Sequence, residues 1–221
     1  MESLEVSNLL IVESHNDKFF IEALSESLTI DIKVNQPICQ INDYECLNGL
    51  SEAKLLQCLN DIKFDDYTKI GIIIDADKEG IANRIMLINS VIKKFDETLE
   101  IKNINESIRS DKLDIEFVCY ITNIDGYGEL ETLLKMVKSK DSLFADCLNA
   151  WRKCLNESGK EISDKEFDKF WISIYGRYDC CTKKDQRHLD TNCTQEASLK
   201  KPIWDFEHTA LTDLKKFLQL F

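Results

Sequence analysis

Short β-branched runs alternate along the chain with longer stretches whose apolar residues recur every three or four positions. Ser7 to Glu13 reads as a strand, and Asp17 to Leu28 as a helix with Phe20, Leu24 and Leu28 on one face. Pro37 to Ile41 predicts a short strand, and Ser51 to Leu59 a helix capped by Ser51 with Leu55, Leu56 and Leu59 turned inward. Ile70 to Asp75 predicts a third strand, whose unbroken Ile and Gly run fits a strand buried on both faces of a parallel sheet. Gly80 to Phe95 reads as a long helix striped by Ile81, Ile85, Ile88 and Ile92, while the polar stretch Glu97 to Lys112 decides nothing. Ile115 to Thr122 predicts a fourth strand, followed by Asp125-Gly-Tyr-Gly128 and a helix over Glu129 to Lys138. Strand and helix in this order imply parallel strands joined by right-handed crossovers.

Beyond Lys140 the pattern turns helical. Leu143, Cys147, Leu148, Trp151 and Leu155 make one stripe, and Phe167, Phe170, Trp171 and Ile174 another. Aromatics at helical spacing are assigned to core packing rather than to platforms for stacking bases. A last helix near Trp204 to Leu218 is expected to pack back on the domain.

Candidate chemistry gathers at the strand ends. Asp75 and Asp77 follow the third strand, on the edge where open α/β sheets place their ligands. In an extended chain residues i and i+2 project to the same side, so both carboxylates would meet one hard cation such as Mg²⁺. The plain alternative is a helix cap followed by a surface residue. A second acidic group, Glu13-Ser-His-Asn-Asp17, ends the first strand. Glu13, directly after four apolar residues, must reach solvent or a cation. Asp17 falls in a first helical turn, where it serves equally as a cap or a partner of the helix dipole. The third group is Gly126-Tyr-Gly-Glu-Leu-Glu131, at the same edge of the sheet. Its acids Glu129 and Glu131 read either as a further metal ligand or as ordinary acids at a helix start, with Glu131 ahead because Leu130 turns inward.

Val12-Glu13, the acid at Asp17 and Asp75-Ala-Asp77-Lys-Glu-Gly80 together resemble the toprim domain pattern, a Glu after the first strand and Asp-x-Asp-x-x-Gly after a later one. The Glu-x-x-x-Asp spacing is most similar to the OLD-like (overcoming lysogenisation defect) nuclease branch and to small stand-alone toprim proteins of uncharacterised function. Gly126 to Glu131 is similar to the Gly-x-Leu-Glu element of small toprim proteins, and Ser14 stands where many members have Gly. The resemblance covers roughly the first 135 residues. It implies a toprim-like (Rossmann-like) α/β fold over residues 1–138, a mainly parallel sheet of about four strands flanked by helices, with 139–221 as a helical extension packed on it. It also implies a Mg²⁺- or Mn²⁺-dependent nuclease that hydrolyses phosphodiesters of DNA or RNA. Glu13 and Asp17 would hold one of two ions about 3.5–4 Å apart, and Asp75 and Asp77 the other. Glu13 would also act as general base, so that Glu13, Asp75 and Asp77 are the expected catalytic residues. Two other readings stand beside this one: a catalytically silent toprim module for binding or assembly, and a phosphotransfer enzyme acting on a small phosphorylated ligand.

Charge complicates the nucleic-acid reading, because 28 basic residues against 40 acidic ones give a net charge of −12. Phosphate binders usually carry a basic footprint. The best local one is Arg177 to Lys201, with Lys183, Lys184 and Arg187 as expected nucleic-acid contacts, though it also reads as a solvated loop. A weak grip implies help from an ATPase partner or from the chain's own oligomer, and a neighbouring ATPase would point to phage defence. The nine cysteines read as reduced thiols in a cytoplasmic protein, and the acids Glu2 and Glu5 do not fit a signal peptide. Cys180, Cys181, His188 and Cys193 form a poor zinc set, lacking Cys-x-x-Cys spacing. No apolar run approaches a membrane span, and no Gly-x-x-x-x-Gly-Lys-Ser/Thr loop or Ser-His-Asp triad is found.

Overall fold

The structure is a computed structural model that describes residues 7–39, 50–188 and 192–221. Five strands, β1 (Ser7–Val12), β2 (Lys33–Val34), β3 (Tyr67–Asp75), β4 (Ile108–Ser110) and β5 (Ile115–Thr122), form one sheet in the order β2-β1-β3-β5-β4. β2, β1, β3 and β5 run parallel, and β4 lies antiparallel on β5 at the edge. Helices α1 (His15–Ser27), α2 (Glu52–Asn60), α3 (Gly80–Ile92) and α4 (Leu130–Met136) flank it. The chain then continues as α5 (Leu143–Asp146), α6 (Leu148–Glu157), α7 (Asp164–Ile174), α8 (Gln195–Leu199) and α9 (Thr212–Leu218).

Both faces of the sheet are buried, and the two-residue period of the strands divides their side chains between two cores. Leu9 and Ile11, Ile70, Ile72 and Ile74, and Phe117, Cys119 and Ile121 pack under α2 and α3. Leu10 and Val12, Ile73, and Val118 and Tyr120 point the other way, into a core shared with Phe20 of α1, Phe167 and Trp171 of α7, and Phe217 of α9. On that face a Cβ at Gly71 would lie 2.4 Å from the Phe221 ring and 2.9 Å from Phe217, so glycine lets the C-terminal aromatics lie on β3. The extension thus shares its core with the central strands.

Three expectations are corrected. The second strand is Lys33–Val34 rather than Pro37 to Ile41: residues 37–39 are irregular, and 40–41 lie outside the described residues. Inside the polar stretch 97–112, β4 covers the exposed edge of β5 through only three residues. The stripe Leu143 to Leu155 is not core: α6 buries no residue, and Leu143 and Phe144 are 73% and 58% exposed. In the other stripe Phe167 and Trp171 are buried, but Phe170 stands out against Trp151, ring centroids 5.8 Å apart. Helical period shows which residues share a face; it does not show whether another element covers that face.

Cys181 and Cys193 form a disulfide with their Cα atoms 5.8 Å apart, within the span such a bond bridges. This corrects the reading of all nine cysteines as reduced thiols, and it takes two of the four residues in the poor zinc set. Among the described residues no helix is long and apolar enough to cross a membrane.

Candidate functional site

β1, β3 and β5 all end on one edge, and the residues that leave them carry the acids. Glu13 follows β1 directly, and its Oε2 accepts a hydrogen bond from the Asp75 backbone N–H at the end of β3 (3.1 Å). The first and third acidic groups are thereby joined to the second, because Asp75 also lies within the field of Asp17, Glu131 and Asp77. Glu13, Asp17, Asp75, Glu129 and Glu131 are all buried, and Asp77 is partly so.

Ser14 does not need the glycine that stands there in many toprim domains. It is extended (φ −130°, ψ 169°) and serves as the N-cap of α1. Its N–H and Oγ both donate to Asp17 Oδ2, at 2.8 and 2.6 Å, completing a capping box. Asp17 therefore does act as a cap, with that oxygen turned toward its own helix end.

Asp77 departs from the extended chain assumed for the Asp-x-Asp pair. Its φ is 49°, so side-to-side alternation stops at Asp75. Backbone bonds hold it there: Asp77 N–H donates to Gly128 O (2.8 Å) and Gly128 N–H donates to Asp77 O (3.0 Å), stitching the turn after β3 to the glycine turn after β5. At Gly80, φ is 79°, and an added Cβ would lie 3.1 Å from the Tyr127 ring, so glycine suits the start of α3 on both counts. Asp77 thus turns its carboxylate to two cations, Arg84 of α3 and Lys165 of α7, the latter at 2.6 Å. Lys165 Nζ also pairs with Glu129 Oε2 at 2.9 Å.

The electrostatics follow this division. Burial drives Asp75 well above the ordinary carboxylate range, and the charges of Asp17, Glu13 and Glu131 add to it. Burial raises Asp17 to about 7 against the opposing Ser14 hydrogen bond, with Glu13 and Glu131 pushing the same way. Glu13 is raised by burial and by Asp77, and the bond from Asp75 N–H only partly offsets this. For Asp77, burial is outweighed by the hydrogen bond and charge of Lys165 and the charge of Arg84, which leave it below its usual value. Burial brings Glu129 up to about 7 despite Lys165, while desolvation of Lys165 is overcome by its two carboxylates, which raise it.

Among the described residues no cation pairs with Glu13, Asp17 or Asp75. Asp75 Oδ1 is buried with no hydrogen-bond partner. Asp75 is among the residues that line a cavity of about 690 Å³, with Glu13, His15, Glu131, Lys165 and Lys169. A second cavity, about 1230 Å³, opens on Asp77, Glu129 and the other side of Lys165. Among the described residues, no three His, Cys, Asp or Glu side chains are arranged to hold one ion together. The hydrogen bonds explain why: Glu13, Asp17, Asp77 and Glu129 are each engaged with a protein donor.

Lys183, Lys184 and Arg187 are placed elsewhere. Lys184 and Arg187 line a small cavity of about 440 Å³ with Asp185, His188 and Lys201, and none of the three basic residues lines either cavity at the acids. Lys165 and Arg84 were missed from the sequence. Arg84 is seven residues after Asp77, about one turn into α3, and a helix entered from an acidic loop is the available signal; Lys165 has none, being 88 residues away.

No curated protein matches the chain. Among solved structures, the C-terminal region of the Xanthomonas campestris pv. campestris OLD protein phased with mercury is similar at 9% identity over 98% of this chain and 96% of that chain, with a TM-score of 0.39. The same region phased with iodine is similar at 11% identity over 98% and 96%, with a TM-score of 0.38. A family model described as "Protein of unknown function (DUF3226)" matches residues 7–221, and the chain belongs to that family.

Proposed function

We propose that this chain is a toprim-type, Mg²⁺- or Mn²⁺-dependent phosphodiesterase acting on DNA or RNA. The observation that carries the reading is Asp75 Oδ1: a buried carboxylate oxygen without a partner, on a residue that lines a cavity together with Glu13. A buried anion in that state is costly unless a cation reaches it. The toprim-like order of acids at the strand ends supports the same reading. The donor set fits a hard divalent ion, being all carboxylate oxygen. Asp75 and Glu13 would hold it, with Glu131 lining the same cavity, while Asp17 stays engaged by Ser14 as the cap of α1.

A bound divalent ion would supply Lewis-acid stabilisation of charge on the phosphoryl oxygens. The residues contribute the rest. Glu13, raised by burial, accepts the proton of the attacking water as its oxygen bonds to phosphorus. The bond from phosphorus to the leaving oxygen breaks, and that oxygen takes a proton from solvent. Asp75 N–H holds Glu13 Oε2 and so orients the base. The Asp77–Gly128 backbone pair holds the two loops that frame the cavities. With a net charge of −12 the grip on nucleic acid is weak, so a partner, an ATPase or a second copy of the chain, would present the substrate.

End-labelled single-stranded and duplex DNA and RNA, incubated with the chain in Mn²⁺, Mg²⁺ or EDTA, test this. Slow cleavage that needs the metal and falls about a hundredfold or more in Glu13→Gln is expected. Cleavage indifferent to EDTA, no cleavage of any substrate, or an unaffected Glu13→Gln contradicts it.

A further inference from the structure

The acids divide into halves that are balanced differently. Asp77 and Glu129 carry two negative charges, and Lys165 and Arg84 return two positive ones. Arg84 is 6% exposed, so it cannot leave Asp77 without stranding a buried charge. The helix that carries Lys165 is held in place: Ser163 and Glu166 form a capping box that starts α7, and Phe167 and Trp171 anchor it in the core. Lys165 lines both cavities. On the other side Glu13, Asp17 and Asp75 carry no paired cation among the described residues, and Asp75, whose Oδ1 is buried without a partner, lines the cavity there.

We propose that Lys165 Nζ occupies the place of a second cation, so that the centre takes a single divalent ion on the Glu13 and Asp75 side. A second ion at Asp77 and Glu129 would meet two positive charges already paired with those acids and no uncompensated negative charge. On the Asp77 and Glu129 side the ammonium of Lys165 supplies, with Arg84, the positive charge that a second ion would otherwise bring. The helical extension thereby contributes a charged group to the centre as well as apolar packing. This inference rests on the acids being a metal centre, and the test separates the two claims.

The probe is Mn²⁺ alone, counted per chain by electron paramagnetic resonance on the 221-residue chain at near-neutral pH. Wild type binds one ion, and Lys165→Arg, which keeps the cation, also binds one. Lys165→Met binds two, the second at least about tenfold tighter than any second ion in wild type, as expected when a contact charge is removed. Lys165→Gln, which keeps polarity and length without charge, gives the same count of two, so a folding defect of the Met form, read by circular dichroism, does not decide the matter. Two ions in wild type, or one in both neutral variants when folded, overturns the lysine's role and leaves the metal centre standing. No Mn²⁺ in wild type overturns the metal centre and this inference with it.

Discussion

Glu13 with Asp75 and Asp77 with Glu129 are acid pairs at one sheet edge, and they differ in what stands opposite them. Asp77 and Glu129 face Lys165 and Arg84, and the pairing is internal. Glu13 and Asp75 face a cavity. A balanced pair belongs to the architecture: removing one member leaves the other buried and unmatched. An unbalanced pair costs stability in the metal-free chain, and in the proposed reading a divalent ion offsets that cost.

The comparison is broken most directly by substitutions of opposite sign. Asp77→Ala strands Arg84 and should lower stability by about 3 kcal/mol, which is roughly 6–12 °C in Tm for a chain of this size. Asp75→Asn, in the absence of metal, removes a buried ionisable group with no partner for one oxygen, and should raise stability by about 1 kcal/mol at the alkaline end of the pH range, where that carboxyl otherwise has to ionise. Thermal unfolding in EDTA measures both. Equal losses in the two variants would erase the distinction between the halves.

The pH dependence of the metal-free chain is the next largest effect. Burial raises Asp17 to about 7 and lifts Glu13 and Asp75 above their ordinary values, so the folded chain keeps protons that the unfolded chain loses near pH 4. Bound protons are then more numerous in the folded state, and stability must fall as pH rises from about 4 through 7. Asp77, held low, acts in the opposite sense, and only in acid below that window. A loss on the order of 2 kcal/mol between pH 5 and pH 8 is expected in EDTA, and saturating Mn²⁺ should flatten the slope because ligand carboxylates are already deprotonated. Stability that rises over this range without metal would contradict the unbalanced half.

The smallest effect concerns the basic segment apart from both halves. Replacing Lys183, Lys184 and Arg187 together by Ala should change stability by less than about 0.5 kcal/mol. It should weaken binding to every nucleic-acid sequence alike, with a shallower salt dependence, and leave Mn²⁺ affinity unchanged. Filter binding at several salt concentrations, beside a Mn²⁺ titration, checks this.

The strand ends were legible because they depend on local signals. An unbroken apolar run ending in an acid marks a buried parallel strand and its C-terminal edge, and β1, β3 and β5 are found where those runs lie. β2 and β4 were not legible, because two and three residues give too little pattern to count. The exposed faces of α5 and α6 show the opposite failure: a clear stripe whose covering partner the spacing cannot supply. Within the site, acids could be named singly, but their division could not. It depends on the left-handed backbone at Asp77 and on Lys165 arriving from α7, which are tertiary facts.

The claim that Glu13 and Asp75 form a metal centre is tested most directly by titrating Mn²⁺ calorimetrically into the metal-free chain and into Asp75→Asn. The account predicts saturable binding by wild type, tightening as pH rises because the raised carboxylates release protons on binding. It predicts an affinity at least about a hundredfold lower in Asp75→Asn, the loss of one charged ligand oxygen from a site of few ligands. No binding by wild type, or equal binding by the two proteins, would contradict it.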